Sequence, residues 1–222
     1  MLKKFKNMPE FVVVIEHLEP CINKWILKEY EYVSRVYGSR LMITNVKDEN
    51  HLRILSKYFQ IITKESVTEI LRDLNEVIVL DPKARKTLES SELKSVKYVI
   101  IGGIMGSHPP KSRTWLYITS KLPKAKPRNI GPYQYTIAGT AYVLRQIEEG
   151  KNVSDIKLIY GLSLKKIMSG IELEILLPYA FPVDDEGKVV LPNDYLRIVV
   201  EHMPIYEHRI LISGENRICY NG

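Results

Sequence analysis

After the apolar run at residues 98–101, the chain reads Gly102-Gly103-Ile104-Met105-Gly106-Ser107-His108-Pro109-Pro110-Lys111-Ser112-Arg113-Thr114. Glycines at the end of a strand leave the main chain uncovered, so a flat ligand can lie against peptide groups. Pro109-Pro110 stiffens the turn that carries His108, Lys111 and Arg113, side chains able to move a proton or grip an oxygen. A second segment of this kind, Arg128-Asn129-Ile130-Gly131-Pro132-Tyr133-Gln134, leads into a helical pattern. A third, Leu80-Asp81-Pro82-Lys83-Ala84, closes another strand-like run. Three loops at strand ends can enclose one small molecule, whereas each loop taken alone is equally a plain tight turn.

Other chemistries are disfavoured. The first strand-to-helix turn, Glu16-His17-Leu18-Glu19-Pro20, holds no glycine, so the doorway of a dinucleotide fold is absent. No glycine precedes a Lys-Ser/Thr pair at P-loop spacing. His17, His51, His108, His202 and His208 form no metal-ligand spacing with carboxylates, so no metal is expected. Cys21 and Cys219 are the two cysteines, too few for a disulfide scaffold or a cysteine-rich zinc module, and a reducing cytoplasm is the expected compartment.

The elements that must position the loops follow from periodicity. Residues 11–15 (Phe-Val-Val-Val-Ile), 41–44, 77–80 and 98–101 are continuous apolar runs, the pattern of strands covered on both faces. Ile22, Trp25, Ile26, Tyr30, Val33 and Tyr37 recur at helical spacing before Gly38. Asp48 opens a second amphipathic stretch through Leu52, Leu55 and Phe59, and Ser66-Val67-Thr68-Glu69 has the spacing of a capping box. A short helix is expected around 115–119, a basic Pro-rich connection over 122–127, and a helix over 134–149 closed by Gly150. Strands alternating with helices predict an α/β fold with a mostly parallel sheet. Residues 1–152 are expected to form the main domain. Residues 153–222, with strand-like or helical pieces at 172–177, 193–201 and 209–212, are expected to pack on it as an extension.

At 222 residues, with 45% hydrophobic and 26% charged side chains, the composition supports a buried core and excludes a disordered chain. No apolar run is long enough to cross a bilayer, and 1–9 lacks the apolar core of a signal peptide, so no membrane partner is expected. The charge is uneven: 94–147 holds nine Lys or Arg and no Asp or Glu, against a chain total of +6. Such a window suits an anionic partner, unless acidic groups from elsewhere neutralise it in three dimensions.

These loop motifs, together with Ile15-Glu16-His17, Trp25, Glu29-Tyr30, Thr44-Asn45 and Leu80-Asp81-Pro82, resemble the predicted S-adenosylmethionine-dependent RNA methyltransferases of the SPOUT class. One yeast member of that family methylates arginine in a ribosomal protein. The resemblance covers roughly 11–150. It implies an α/β domain whose C-terminal part is threaded into a trefoil knot. It also implies S-adenosylmethionine as cofactor, held by Leu80, Asp81, Gly102, Gly103, Ile104, Met105, Gly106, Ile130, Gly131, Pro132, Tyr133 and Gln134, with Thr136 behind them. The chain departs from the family pattern at Ser107, Ser112 and in Ile137-Ala138-Gly139-Thr140-Ala141, where acidic residues are expected, and this bears on substrate choice. Family members often pair through the knot, so a monomer or a homodimer is expected.

On this footing His108, Arg113 and Asp81 are the candidate catalytic residues, with His108 or Asp81 as base and Arg113 orienting an oxygen. The plainer roles are a loop hydrogen bond for His108, a cap on the Pro82 turn for Asp81 and a pair with Glu16 for Arg113. Lys111, Arg113, Lys124, Lys126 and Arg128 are the candidate substrate contacts, with Glu16 beside them. Because the window lacks carboxylates to receive a cation, RNA ranks ahead of a ribosomal-protein arginine as substrate, with Trp115, Tyr117 or Tyr133 stacking a base. A protein that binds RNA or the ribosome without turnover is the alternative of another class.

Overall fold

The computed structural model describes residues 11–106, 109–168 and 170–201. The expected apolar runs form parallel strands β1 (Val12–His17), β2 (Leu41–Thr44), β4 (Val77–Leu80) and β5 (Tyr98–Gly103), joined by β3 (Ile61–Ile62) and β6 (Lys126–Arg128). The sheet order is β3-β2-β1-β5-β4-β6, and every neighbouring pair is parallel. Ile15 stands opposite Ile43 on one side and Ile101 on the other. Alternation along the strands divides the core between two faces. Val13, Ile15, Ile78, Leu80, Val99 and Ile101 meet Ile26, Tyr30, Val33, Ala141 and Leu144 of helices α1 (Lys24–Tyr37) and α6 (Ile137–Glu148). Val14, Val77, Val79 and Ile100 face Val67, Leu71, Ile118 and Leu122.

The shorter helices α2 (Glu49–Leu55), α3 (Val67–Ile70), α4 (Ser90–Leu93) and α5 (Arg113–Tyr117) sit in the connections. The expected capping box is present at α3: the Thr68 N–H donates to Ser66 Oγ at 3.1 Å, and the Ser66 N–H to Glu69 at 2.8 Å. Several boundaries differ from expectation. α2 stops at Leu55 rather than continuing to Phe59, and α6 starts at Ile137 because Thr136, not Gln134, is its N-cap, accepting from the Gly139 N–H at 3.0 Å. The supposed connection at 122–127 ends in β6, an edge strand of three residues with a central proline, too short and too polar to show a strand pattern. β3, of two residues, carries no pattern for the same reason.

The later chain forms a long antiparallel hairpin of β7 (Leu158–Met168) and β8 (Ile171–Pro182), followed by helical residues at 195–201. Leu177 and Phe181 bury against Tyr195 and Val199. The hairpin joins the rest through the Ala180 N–H, which donates to the Gln134 carbonyl at 2.8 Å. The expected strand-like piece at 209–212 lies outside the described residues.

Gly103 faces inward. A Cβ there would lie 2.7 Å from both the Glu16 carbonyl oxygen and the Tyr30 hydroxyl, so the glycine is required for the packing of β5 on β1 and α1. Gly103→Ala is therefore expected to lower unfolding stability by about 1–3 kcal/mol, read as a reduced midpoint in urea denaturation; an unchanged midpoint would contradict the packing.

Candidate functional site

The carboxyl ends of β4, β5 and β6 lie side by side, and the loops leaving them line one pocket of about 270 Å³. Leu80, Asp81, Pro82 and Lys83 come from the first loop, and Gly102, Ile104, Met105, Gly106, Pro110, Lys111, Ser112, Arg113 and Thr114 from the second. Ile130, Gly131, Pro132, Tyr133 and Gln134 come from the third, and Ile137 and Thr140 of α6 form the floor. Carboxyl strand ends are the usual ligand edge of a parallel sheet. Gly131 has φ +116°, a backbone conformation that L side chains rarely adopt.

One expected cofactor position, Gly103, lies outside the pocket lining and packs into the sheet as described. Thr136, expected behind the others, spends its side chain on the α6 N-cap. His108 and Ser107 lie outside the described residues. Asp81 borders the pocket but is 2% exposed, with Oδ2 accepting from the Thr119 hydroxyl at 2.6 Å and Oδ1 from the Lys83 N–H at 2.9 Å. Its observed work is to shape the Pro82 turn.

The second loop is held at Met105 from several directions. The Met105 N–H donates to Glu19 Oε1 at 2.6 Å, its carbonyl accepts from Arg113, and its sulfur accepts from the Trp25 indole at 3.2 Å. One residue on, Tyr179 of β8 donates its hydroxyl to the Gly106 carbonyl at 3.2 Å. Burial raises the pKa of Glu19 despite the Met105 N–H and the Arg113 cation, which act in the opposite sense. Neither Glu19 in this role nor Tyr179 stood out in the sequence. Tyr179 belongs to an alternating strand, and nothing local to it says that its ring meets Gly106.

Four expected substrate contacts, Glu16, Arg113, Lys124 and Arg128, are engaged structurally. Glu16 is buried, with its oxygens accepting from Thr44, from the Ser66 hydroxyl at 2.6 Å and from the Val67 N–H at 3.0 Å, so it ties α3 to β1 and does not face the pocket. Arg128 forms a fork with Glu92, Nε to Oε2 at 2.8 Å and Nη2 to Oε1 at 2.5 Å. Lys124 pairs with Asp73 at 3.4 Å. Lys97 with Glu76, Arg113 with Glu19, and Arg145 with Glu148 and Glu149 complete the pattern. Five of the nine bases in the acid-free window, Lys97, Arg113, Lys124, Arg128 and Arg145, thus meet acids from other segments. Lys111 and Lys83 stay exposed at the pocket, Lys126 is exposed on β6, and Trp115, Tyr117 and Tyr133 are also exposed.

Two buried titratable groups lie behind the pocket. His17 Nδ1 is 2.9 Å from the Tyr30 hydroxyl and Nε2 is 3.2 Å from His51 Nδ1; burial, with His51 adding to it, lowers the His17 pKa to about 4 and keeps the ring neutral near pH 7. Glu29 Oε2 accepts from the Ala138 N–H in the first turn of α6 at 2.5 Å, while the Tyr195 and Thr136 hydroxyls stand near without closing a bond to Oε1. Burial outweighs these donors and raises the Glu29 pKa to about 7.

Comparison with known proteins places this geometry. The Saccharomyces cerevisiae protein arginine N-methyltransferase SFM1 is 27% identical over 201 residues, covering 84% of this chain and 92% of that protein. The crystal structure of the yeast enzyme complexed with SAH has a TM-score of 0.73 at 25% identity, covering 85% of this chain and 94% of that one. Its complex with SAM has the same TM-score and identity over 86% and 90%. The dual-specific Trm10 from Thermococcus kodakaraensis, at 21% identity and a TM-score of 0.51 over 65% and 96%, shares the fold. Fold and relatives define an S-adenosylmethionine-dependent methyltransferase. Residues 12–204 match the family described as protein arginine N-methyltransferase SFM1-like, and the chain belongs to that family.

The Glu29 shift gives a pH signature. A folded pKa of about 7, above the ordinary value of 4.5, favours the folded state below pH 4.5, and this advantage is lost as pH rises toward 7. Glu29→Gln removes that slope, so its stability relative to the parent should increase between pH 4.5 and 7 by on the order of 3 kcal/mol. Parallel stability curves for the two proteins in urea titrations would exclude the shift.

Proposed function

We propose that this chain transfers a methyl group from S-adenosylmethionine, bound in the three-loop pocket, to an arginine of a protein substrate. The observation that carries the reading is the convergence of Leu80–Lys83, Gly102 with Ile104–Gly106, and Ile130–Gln134 on one pocket at the sheet's carboxyl edge, in a chain of the SFM1-like family. The pocket suits the cofactor: Leu80, Ile101, Ile130 and Ile137 offer apolar surface to an adenine, and exposed peptide groups of the glycine loops offer hydrogen bonds. A Cβ at Gly106 would overlap the Gln134 amide and the Tyr179 ring, so the cradle depends on that missing side chain. The trefoil threading implied by the resemblance belongs to the same proposal.

When bound, S-adenosylmethionine supplies a methyl on a sulfonium, which passes to a nitrogen lone pair as the S–C bond breaks and the nitrogen loses a proton to water. The residues of the chain have the narrower task of alignment. Glu19, Trp25, Arg113 and Tyr179 hold the Met105–Gly106 corner, and Glu29 holds the start of α6 beneath the pocket. Protein arginine ranks ahead of RNA because the family is one of protein arginine methyltransferases and five of the nine bases in the window that favoured RNA meet acids, the Arg128 fork on Glu92 most closely. An RNA substrate is the second reading, supported by Lys83 and Lys111 at the pocket, both exposed.

Incubation with cofactor carrying a labelled methyl, followed by separation of protein and RNA, should place the label in protein as methylarginine. Label confined to RNA would replace this reading with the second. Gly106→Ala should weaken cofactor binding at least 10-fold by calorimetry below its melting temperature, whereas unchanged affinity would remove the glycine corner from the pocket.

A further inference from the structure

We infer that Glu19 and the Met105 carbonyl form a seat for a guanidinium group, occupied at rest by the chain's own Arg113 and taken over by an incoming arginine side chain. This rests on the protein-arginine reading and names the residues that would receive that substrate.

The carboxylates near the pocket divide sharply by what they already bind. Both oxygens of Asp81 accept hydrogen bonds and its side chain is buried. Those of Glu16 serve Thr44, Ser66 and Val67, and Glu29 is enclosed at the start of α6. Glu19 differs. Its Oε1 accepts from the Met105 N–H, while no hydrogen bond to Oε2 is present among the described residues. Burial raises its pKa, the sign of a carboxylate short of compensation that gains from a nearby cation.

Arg113 Nη1 stands 3.6 Å from Glu19 Oε1, and its hydrogen bond goes to the Met105 carbonyl. Two other half-buried arginines hold their acids more closely: Arg128 grips Glu92 as a fork and Arg40 reaches Glu148 at 2.7 Å. A guanidinium carries five N–H donors in a planar fork, and among the described residues no hydrogen bond runs from Arg113 to Glu19. The seat therefore holds the right chemistry in a loose pair, from which a better-placed guanidinium can displace the resident one. Met105 and Arg113 both line the pocket, and Glu19, outside that lining, meets both of them, so the seat borders the proposed donor site.

The test uses N-acetyl-L-arginine methylamide with the full chain, without cofactor, and follows the Trp25 indole N–H by NMR. That proton is bonded to Met105 sulfur and thus reports on the seat. A saturable shift is expected, with none from the citrulline counterpart, which is of similar shape but uncharged. Glu19→Gln, which keeps an acceptor for the Met105 N–H, should weaken binding at least 10-fold. Arg113→Gln should tighten it about threefold or more by removing the competitor. Equal binding of arginine and citrulline compounds, unchanged affinity in Glu19→Gln, or loss of binding in Arg113→Gln would each overturn the seat. Melting temperatures screen the variants, and Glu19→Asp replaces Glu19→Gln if the latter does not fold. Cofactor calorimetry on the parent separates the two ideas: absent cofactor binding sinks the proposed function while the arginine titration still judges the seat. Label found only in RNA, with the arginine compound bound, would leave the seat without its assigned substrate and overturn its role.

Discussion

Parallel pairing of β4 with both β5 and β6 brings three chain segments to one edge with their carboxyl ends aligned. Val79 stands opposite Ile100 in one ladder and Pro127 in the other. Each strand then releases its loop at nearly the same level, so Leu80, Gly102 and Ile130 reach the same pocket although they are far apart in sequence. An antiparallel pair would have sent one loop to the opposite edge. The site therefore depends on the direction of the ladders before it depends on any side chain.

A loop that offers peptide groups to a ligand has few side chains with which to hold itself, and neighbours must supply the restraint. At Met105 and Gly106 they come from the turn after β1, from α1, from the start of α5 and from β8. Asp81 does the same within the first loop, and Glu29 at the beginning of α6. Asp81 meets the cost of burial with donors to both oxygens, whereas Glu19 and Glu29 each accept one main-chain N–H and keep a raised pKa because burial outweighs it. Acid-base chemistry is the more conspicuous use of a carboxylate, yet most of the acids here act as fasteners.

Charge is where linear order misleads most. The window 94–147 is free of acids in sequence, but Arg128 meets Glu92, Lys97 meets Glu76, Lys124 meets Asp73 and Arg145 meets Glu148 and Glu149. These partners lie outside the window on either side, and folding returns them to it. An apparent field for polyanions thereby becomes a mixed surface.

The sequence by itself determined the strands that form the core, the helices α1 and α6, the capping box at Ser66 and the three loop motifs that line the pocket. Each is written in local periodicity or in residues whose backbone preferences are strong, such as glycine and proline. It was silent on β3 and β6, which are too short to carry a period and exist because a neighbouring strand offers hydrogen bonds. Tertiary structure alone decided that Gly103 faces the sheet while Gly106 faces Gln134 and Tyr179, that Glu16 ties α3 to β1, and that Glu19 meets Met105 and Arg113. Residue types state what chemistry is available. Which groups share it depends on contacts between segments distant in the chain, and only the assembled sheet creates those contacts.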